Sequence, residues 1–243
     1  MHNRITVMPF YLICDVSASM GQDMYSLNDG LGRLRTAILA DPVVDDMVQI
    51  CVMSFADDAK VLMPVDHVRL AAAPRFSAGG GTNYGAAFRR LAAVIERDVV
   101  YLASRGHTSY RPCAFFVTDG APTDADWHQT FTTTLTYCGD VRTSPIFVPF
   151  GFRDAPESAL RRLAYPAAKG KWYHAGATQP EQALAGIVNV IIETVTMSGR
   201  GAAEGQPVVV PQPPTPGSGI ACGESEFDLN HRPAGARCRP GMP

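Results

Sequence analysis

The chain has 243 residues, 46% of them hydrophobic and 18% charged, with a formal net charge of −2. That length supports one large domain or two small ones with a core of their own, and the apolar share excludes wholesale disorder. A charge so near zero and so evenly mixed excludes a dedicated nucleic-acid binder, which would show a basic face.

Residues 9–14 form a short continuous apolar run, the pattern of a strand buried on both faces. After a polar turn, Leu27, Leu31, Leu34 and Ile38 mark one helical face, ended by Asp41-Pro42. Residues 47–55 predict a second strand and 59–65 a third, with Asp57-Asp58 as a solvated turn; so short a connection makes them an antiparallel hairpin. Gly79-Gly80-Gly81-Thr82 precedes a helix whose face is Phe88, Leu91, Ile95, Val99 and Leu102. Residues 112–118 predict another buried strand, ending at Asp119-Gly120. Thr123 and Asp126 have the spacing of a loose capping box, opening a helix that carries Trp127, Phe131 and Leu135. A strand over 145–150, a helix over 157–164 and a strand over 171–174 follow. The strongest helical face is the last, with Leu184, Ile187, Val188, Ile191, Ile192 and Val195 behind Pro180 near the first turn.

Buried strands alternating with amphipathic helices imply an α/β fold: a doubly wound, mostly parallel sheet with one antiparallel edge strand and helices on both faces. The domain is expected over residues 1–198. Residues 199–243 hold 8 Gly and 8 Pro, including Pro211-Gln212-Pro213-Pro214-Thr215-Pro216. Such a run favours extended polyproline conformations, and the tail is read as a disordered linker or arm.

No segment reaches the roughly 18 consecutive apolar residues of a membrane span, and the N-terminus lacks a secretory pattern. The expected location is cytoplasmic, with no membrane partner. Cys14, Cys51 and Cys113 each lie in an apolar strand-like run, where buried thiols act as small hydrophobes. Cys222 and Cys238 in the tail could pair or bind metal, a reading that a reducing compartment disfavours.

In a doubly wound sheet, ligands bind beyond the carboxyl ends of the strands, where the strand order reverses. Three polar segments hold such positions: Asp15-Val16-Ser17-Ala18-Ser19 after the first strand, Thr82 in the glycine-rich loop, and Asp119 after the 112–118 strand. Two carboxylates and three hydroxyls are hard oxygen donors, suited to octahedral Mg2+ or Mn2+. Soft and imidazole ligands are absent from these segments, which argues against zinc or copper. Taken singly, each residue has a plainer use, since Asp favours turns and Ser17 or Ser19 could cap the following helix. The glycine-rich loop lacks the lysine of a phosphate-binding P-loop.

Asp15, Ser17, Ser19, Thr82 and Asp119 together resemble the metal-ion-dependent adhesion site of von Willebrand factor A domains. The resemblance covers about residues 5–198, with Phe10-Tyr11-Leu12-Ile13-Cys14 before the first motif and Phe116-Val117-Thr118-Asp119-Gly120 around the last. Ala18 stands where many members carry glycine, at a position that is not a ligand. Within the family, Val52-Met53-Ser54-Phe55, Ser77-Ala78-Gly79-Gly80-Gly81-Thr82 and Thr118-Asp119-Gly120-Ala121-Pro122-Thr123-Asp124 look most like the tellurium-resistance-associated, TerY-like proteins. That resemblance implies an intracellular partner-binding module, and converging oxygen ligands without a nucleophile–base pair point to a non-enzymatic one. Ser17, Ser19 and Thr82 would ligate Mg2+ directly, and Asp15 and Asp119 directly or through water. A partner protein's carboxylate would complete the shell, in a stress-response system often accompanied by a protein kinase and a PP2C-type phosphatase. Two alternatives stand beside it. One is a Mg2+-dependent phosphohydrolase, weakened because the acid/base Asp expected two positions after the first Asp is Ser17. The other is an accessory subunit of a chelatase or AAA-ATPase assembly, whose ATPase would have to be a separate protein.

Overall fold

Strand β1 (Thr6–Asp15) is buried from Val7 onward, and its side chains alternate between two cores. Met8, Phe10, Leu12 and Cys14 enter one, while Tyr11 and Ile13 enter the other. A strand with a core on each face must lie inside the sheet, and β1 does: β2 (Val48–Phe55) runs parallel on one side, with Asp15 opposite Phe55. On the other side it is flanked by β5 (Cys113–Thr118), also parallel, and its first residues pair with the two-residue β4 (Thr108–Ser109). The computed structural model describes residues 5–136, 140–167, 170–176, 179–206, 209 and 211–227.

With β3 (Ala59–Asp66), β6 (Ile146–Phe152), β7 (Lys171–Ala175) and β8 (Ala221–Glu224), the sheet order is β3-β2-β1-β5-β6-β7-β8. As the hairpin spacing predicts, β3 is antiparallel to β2. The chain grows outward from β1 through β2 to one edge, then returns to β5 and grows to the other. The switch point therefore falls between β1 and β5, the strands that end in Asp15 and just before Asp119.

Among the described residues, six α-helices cover the two faces: α1 (Met24–Leu39), α2 (Pro42–Met47), α3 (Tyr84–Ser104), α4 (Trp127–Leu135), α5 (Glu157–Leu163) and α6 (Pro180–Ala203). Leu27, Leu31 and Leu34 of α1 join Leu184, Ile187 and Ile191 of α6 over Phe10, Leu12 and Phe115. On the opposite face, Phe88 and Leu91 of α3 and Phe131 of α4 pack on an aromatic layer, in which Phe116 stacks on Phe55 with centroids 4.8 Å apart. Helix α6 has the length and mean hydropathy of a membrane span, yet its apolar face is spent in this core.

Four expectations need correction. Asp41-Pro42 ends α1 but also starts α2, because the Asp41 carboxylate accepts from the N–H groups of Val43 (3.0 Å) and Val44 (3.4 Å) and Pro42 occupies the first turn. The Thr123/Asp126 capping box does not form, since Asp126 makes no side-chain cap bond to α4. Asp124 instead caps α3, accepting from Tyr84 N and Gly85 N, each at 2.9 Å.

The third and fourth corrections concern the described part, up to residue 227, of the C-terminal region expected to be a disordered arm over residues 199–243; residues 228–243 lie outside the described residues. Helix α6 continues to Ala203, and β8 adds a second antiparallel edge by pairing with β7. Before it, the Tyr173 hydroxyl donates to Gln212 O at 2.6 Å and Gln212 N donates to Thr194 Oγ1 at 3.1 Å. Beyond it, Phe227 is buried against Tyr165 and Phe131. A glycine- and proline-rich composition disfavours regular elements but does not forbid an edge strand, where both residues are tolerated. Cys222 is an exposed free thiol on β8, and Cys238 lies outside the described residues.

Candidate metal centre

Where β1 ends, Asp15 is fully buried and both carboxylate oxygens are engaged. Ser17 N donates to Oδ1 at 2.8 Å and Thr118 Oγ1 donates to Oδ2 at 2.7 Å. Thr118 is held in turn by the Tyr84 hydroxyl, which lies 3.3 Å away and also donates to Gly120 O at 2.8 Å. Burial outweighs these bonds and lifts the Asp15 carboxyl from its ordinary 3.8 to about 6, with the nearby Asp119 charge adding to the rise. A buried carboxylate so disfavoured gains from an adjacent positive charge.

The next two donors follow within four residues. Ser17 Oγ lies 3.0 Å from Ser19 Oγ, and Ser19 Oγ donates to Asp119 Oδ1 at 2.9 Å. Ser17 is buried and Ser19 exposed, so this chain of oxygens leads from the sheet to the surface. It crosses the switch point, joining β1 to β5 across a sequence separation of 100 residues.

Backbone bonds hold the glycine-rich loop against this segment. Gly79 N donates to Val16 O at 2.7 Å and Ala18 N to Gly80 O at 3.0 Å. Gly80 has φ +84°, the left-handed region that glycine enters without steric cost. The Asp57 carboxylate, read from sequence as part of a solvated turn, accepts from Gly81 N at 2.9 Å and so anchors the loop. Thr82 follows, buried, with its carbonyl accepting from Thr123 N at 2.9 Å. A Cβ built on Gly120 would lie 4.0 Å from Thr82 Oγ1, which puts the Thr82 hydroxyl beside the residue after Asp119. The structure therefore brings Ser17, Ser19 and Asp119 into direct contact, with Asp15 on the same turn and Thr82 against the Asp119 loop.

Three residues that the sequence reading did not single out belong to this site. Thr118, the last residue of β5, stands in the quoted motifs without a role of its own. Arg153, just after β6, has φ +51°, a strained conformation for a side chain with a Cβ. Its Nη1 donates to Ser19 O (3.1 Å) and Asp119 Oδ2 (3.3 Å), and its Nη2 to Asp23 Oδ1 (3.1 Å). Asp23 is itself buried, which raises its carboxyl pKa, while Arg153 pulls it back down. The strand-end rule that picks out Asp15 and Asp119 would also have picked out Arg153, had the 145–150 strand been extended to its observed end at Phe152.

The donor set fits a hard divalent cation. Octahedral Mg2+ with bonds of about 2.0–2.1 Å places adjacent ligand oxygens about 2.9 Å apart, close to the Ser17–Ser19 and Ser19–Asp119 separations of 3.0 and 2.9 Å. Among the described residues, no group of three or more His, Cys, Asp or Glu side chains gathers as an alternative metal site.

The fold has solved counterparts. It matches the ArnB paralog VWA2 of Sulfolobus acidocaldarius at 18% identity and TM-score 0.51, covering 77% of this chain and 46% of that one. Proximal thread matrix protein 1 of the mussel byssus matches at 13% identity and TM-score 0.52, over 91% of this chain and 48% of its own. A variant of the PilB minor pilin of Streptococcus sanguinis matches at 9% identity and TM-score 0.56, over 83% and 63%. The chain thus spans about half the length of the archaeal and mussel proteins. No curated protein sequence matches it. Residues 10–121, from β1 to the turn after Asp119, match the family model for the von Willebrand factor type A domain, and the sheet and helices have the Rossmann-like fold of these solved counterparts.

Proposed function

We propose that this chain is a Mg2+-dependent protein-binding module that engages an acidic side chain of a partner. The carrying observation is the run of oxygens from Ser17 through Ser19 to Asp119 across the switch point, at spacings an octahedral ion needs. In this reading Ser17, Ser19, Thr82, Asp15 and Asp119 hold the ion, with Mn2+ as an acceptable substitute. A bound ion supplies a Lewis-acidic position for a carboxylate oxygen. Thr118 and Ser17 N orient Asp15, while the exposed Ser19 leaves the outer side open to a partner.

The same geometry favours binding over phosphoryl hydrolysis. Asp15 is enclosed, with both oxygens in hydrogen bonds, and the position of an acid/base Asp is taken by Ser17, a poor proton donor at neutral pH. The sequence likeness to TerY-like proteins supports a cytoplasmic adaptor role in a tellurium-resistance or stress-response system, beside a protein kinase and a PP2C-type phosphatase.

Thermal unfolding during Mg2+ or Mn2+ titration tests the reading, with a Glu-bearing peptide and its Gln counterpart as probes. The wild type should be stabilised by the ion, and further by the Glu peptide alone. Ser19→Ala and Asp119→Ala should lose both responses. An ion response retained in Asp119→Ala, or turnover of an aryl phosphate, would count against it.

A further inference from the structure

The site contains a cation of its own. The Arg153 guanidinium lies 3.3 Å from Asp119 Oδ2 and 3.1 Å from Ser19 O, so it contacts two of the residues that the proposed function assigns to the ion. It is held there from behind: Nη1 lies 2.5 Å from Asp23 Oδ2, Nη2 donates to Asp23 Oδ1, and the group sits over the Phe152 ring at 5.6 Å. Asp23 is 1% exposed, so withdrawing Arg153 would leave a buried carboxylate unpaired. The loop is fastened as well, since Asp154 N donates to Asp119 O at 3.0 Å. Arg153 is thus a fixed positive charge, with its backbone in the left-handed region.

We propose that Arg153, braced by Asp23, competes with a divalent cation for Asp119 and keeps the ion affinity of the site low. This rests on the reading of the site as a metal centre. Asp119 Oδ1 is engaged by Ser19 and Oδ2 by Arg153, so an ion approaching Asp119 meets a guanidinium already on that carboxylate. An ion and a guanidinium sharing one carboxylate repel each other, and with Asp119 2% exposed water screens that repulsion only in part. The device makes occupancy conditional: an anionic partner group relieves the repulsion between ion and guanidinium, so ion and partner strengthen each other's binding.

Isothermal titration with Mn2+ separates these roles. Arg153→Gly removes the side chain, and glycine accepts the left-handed backbone without cost; it should bind Mn2+ at least fivefold more tightly than wild type. Asp23→Asn/Arg153→Gly restores the wild-type local charge balance and should still bind at least threefold more tightly, because Asp119 is free. Arg153→Lys, which keeps the charge but loses the fork, should fall between wild type and Arg153→Gly. Equal or weaker binding in Arg153→Gly would overturn the competition, and so would a double variant indistinguishable from wild type, since net charge would then explain the gain. Absence of Mn2+ binding in every protein, wild type included, would remove the metal-centre reading along with the inference. Binding by wild type that is unchanged in the Arg153 variants would remove the inference alone.

Discussion

Replacing Asp15 by Asn should stabilise this protein in the absence of divalent ions, although Asp15 is buried and hydrogen-bonded. Burial lifts its carboxyl from 3.8 to about 6 in the folded chain, so the folded state holds the proton more tightly than the unfolded state does. The associated stability is complete below about pH 4 and is lost as the pH rises through about 6. The difference of about 2 units corresponds to about 3 kcal/mol at pH 8. Asp15 is 0% exposed, so solvent screening takes little from this figure. Asn imitates the protonated acid: its carbonyl can still accept from Ser17 N, and Thr118 can accept from its amide. In EDTA at pH 8, Asp15→Asn should therefore unfold roughly 5–10 °C above wild type, with the gap closing toward pH 4. Saturating Mg2+ should raise the wild type and leave the variant unmoved. The assay is calorimetric unfolding across pH 4–8 with and without Mg2+. A variant less stable than wild type at pH 8 in EDTA, or a gap that does not narrow with acid, would refute the account of Asp15 as an ionised group held against its burial.

Phe227→Ala tests whether the C-terminal segment is part of the fold. Its ring lies 5.1 Å from Tyr165 and 6.0 Å from Phe131, so denaturant unfolding should show a loss of about 3 kcal/mol, whereas a mobile arm would show a change near zero. Gly30→Ala sets two effects against each other. Alanine favours a helix by about 1 kcal/mol, but its Cβ would stand 2.5 Å from Val188 Cγ2, and overpacking costs about 1–3 kcal/mol. The variant should lose stability, and adding Gly30→Ala to Val188→Ala should instead raise it.

The fold was legible wherever burial on both faces left an unbroken apolar run or a helix left a clean stripe. Among the described residues, those signals mark six of the eight strands and five of the six α-helices. What escaped depends on contacts distant in sequence. Strand β4 is two residues long and exists only because β1 is beside it, and β8 lies in a segment whose glycines and prolines mask its pairing with β7. Of the candidate site residues, Asp15, Ser17, Ser19 and Asp119 stand out in the sequence because they follow apolar strands, and Thr82 because it closes a glycine-rich loop just before a helix. Thr118 did not, since a threonine is an ordinary strand residue until its hydroxyl is seen 2.7 Å from a buried carboxylate. Asp23 reads as one more polar residue near a helix start until Arg153, 130 residues later, is found against it.

The stitching of the two loops has a consequence for how such a site can diversify. Gly79 to Val16 and Ala18 to Gly80 are joined main chain to main chain, so the cradle is positioned without the side chains of Ala18 or Ala78, both of which face solvent. Natural variation or a designed library could replace those outward side chains while leaving Ser17, Ser19 and Asp119 in register. Tyr25, 83% exposed at the start of α1, offers another variable place on the outside. The domain thus separates an oxygen cluster placed by main-chain bonds from an outward-facing periphery whose side chains can change without rebuilding that centre.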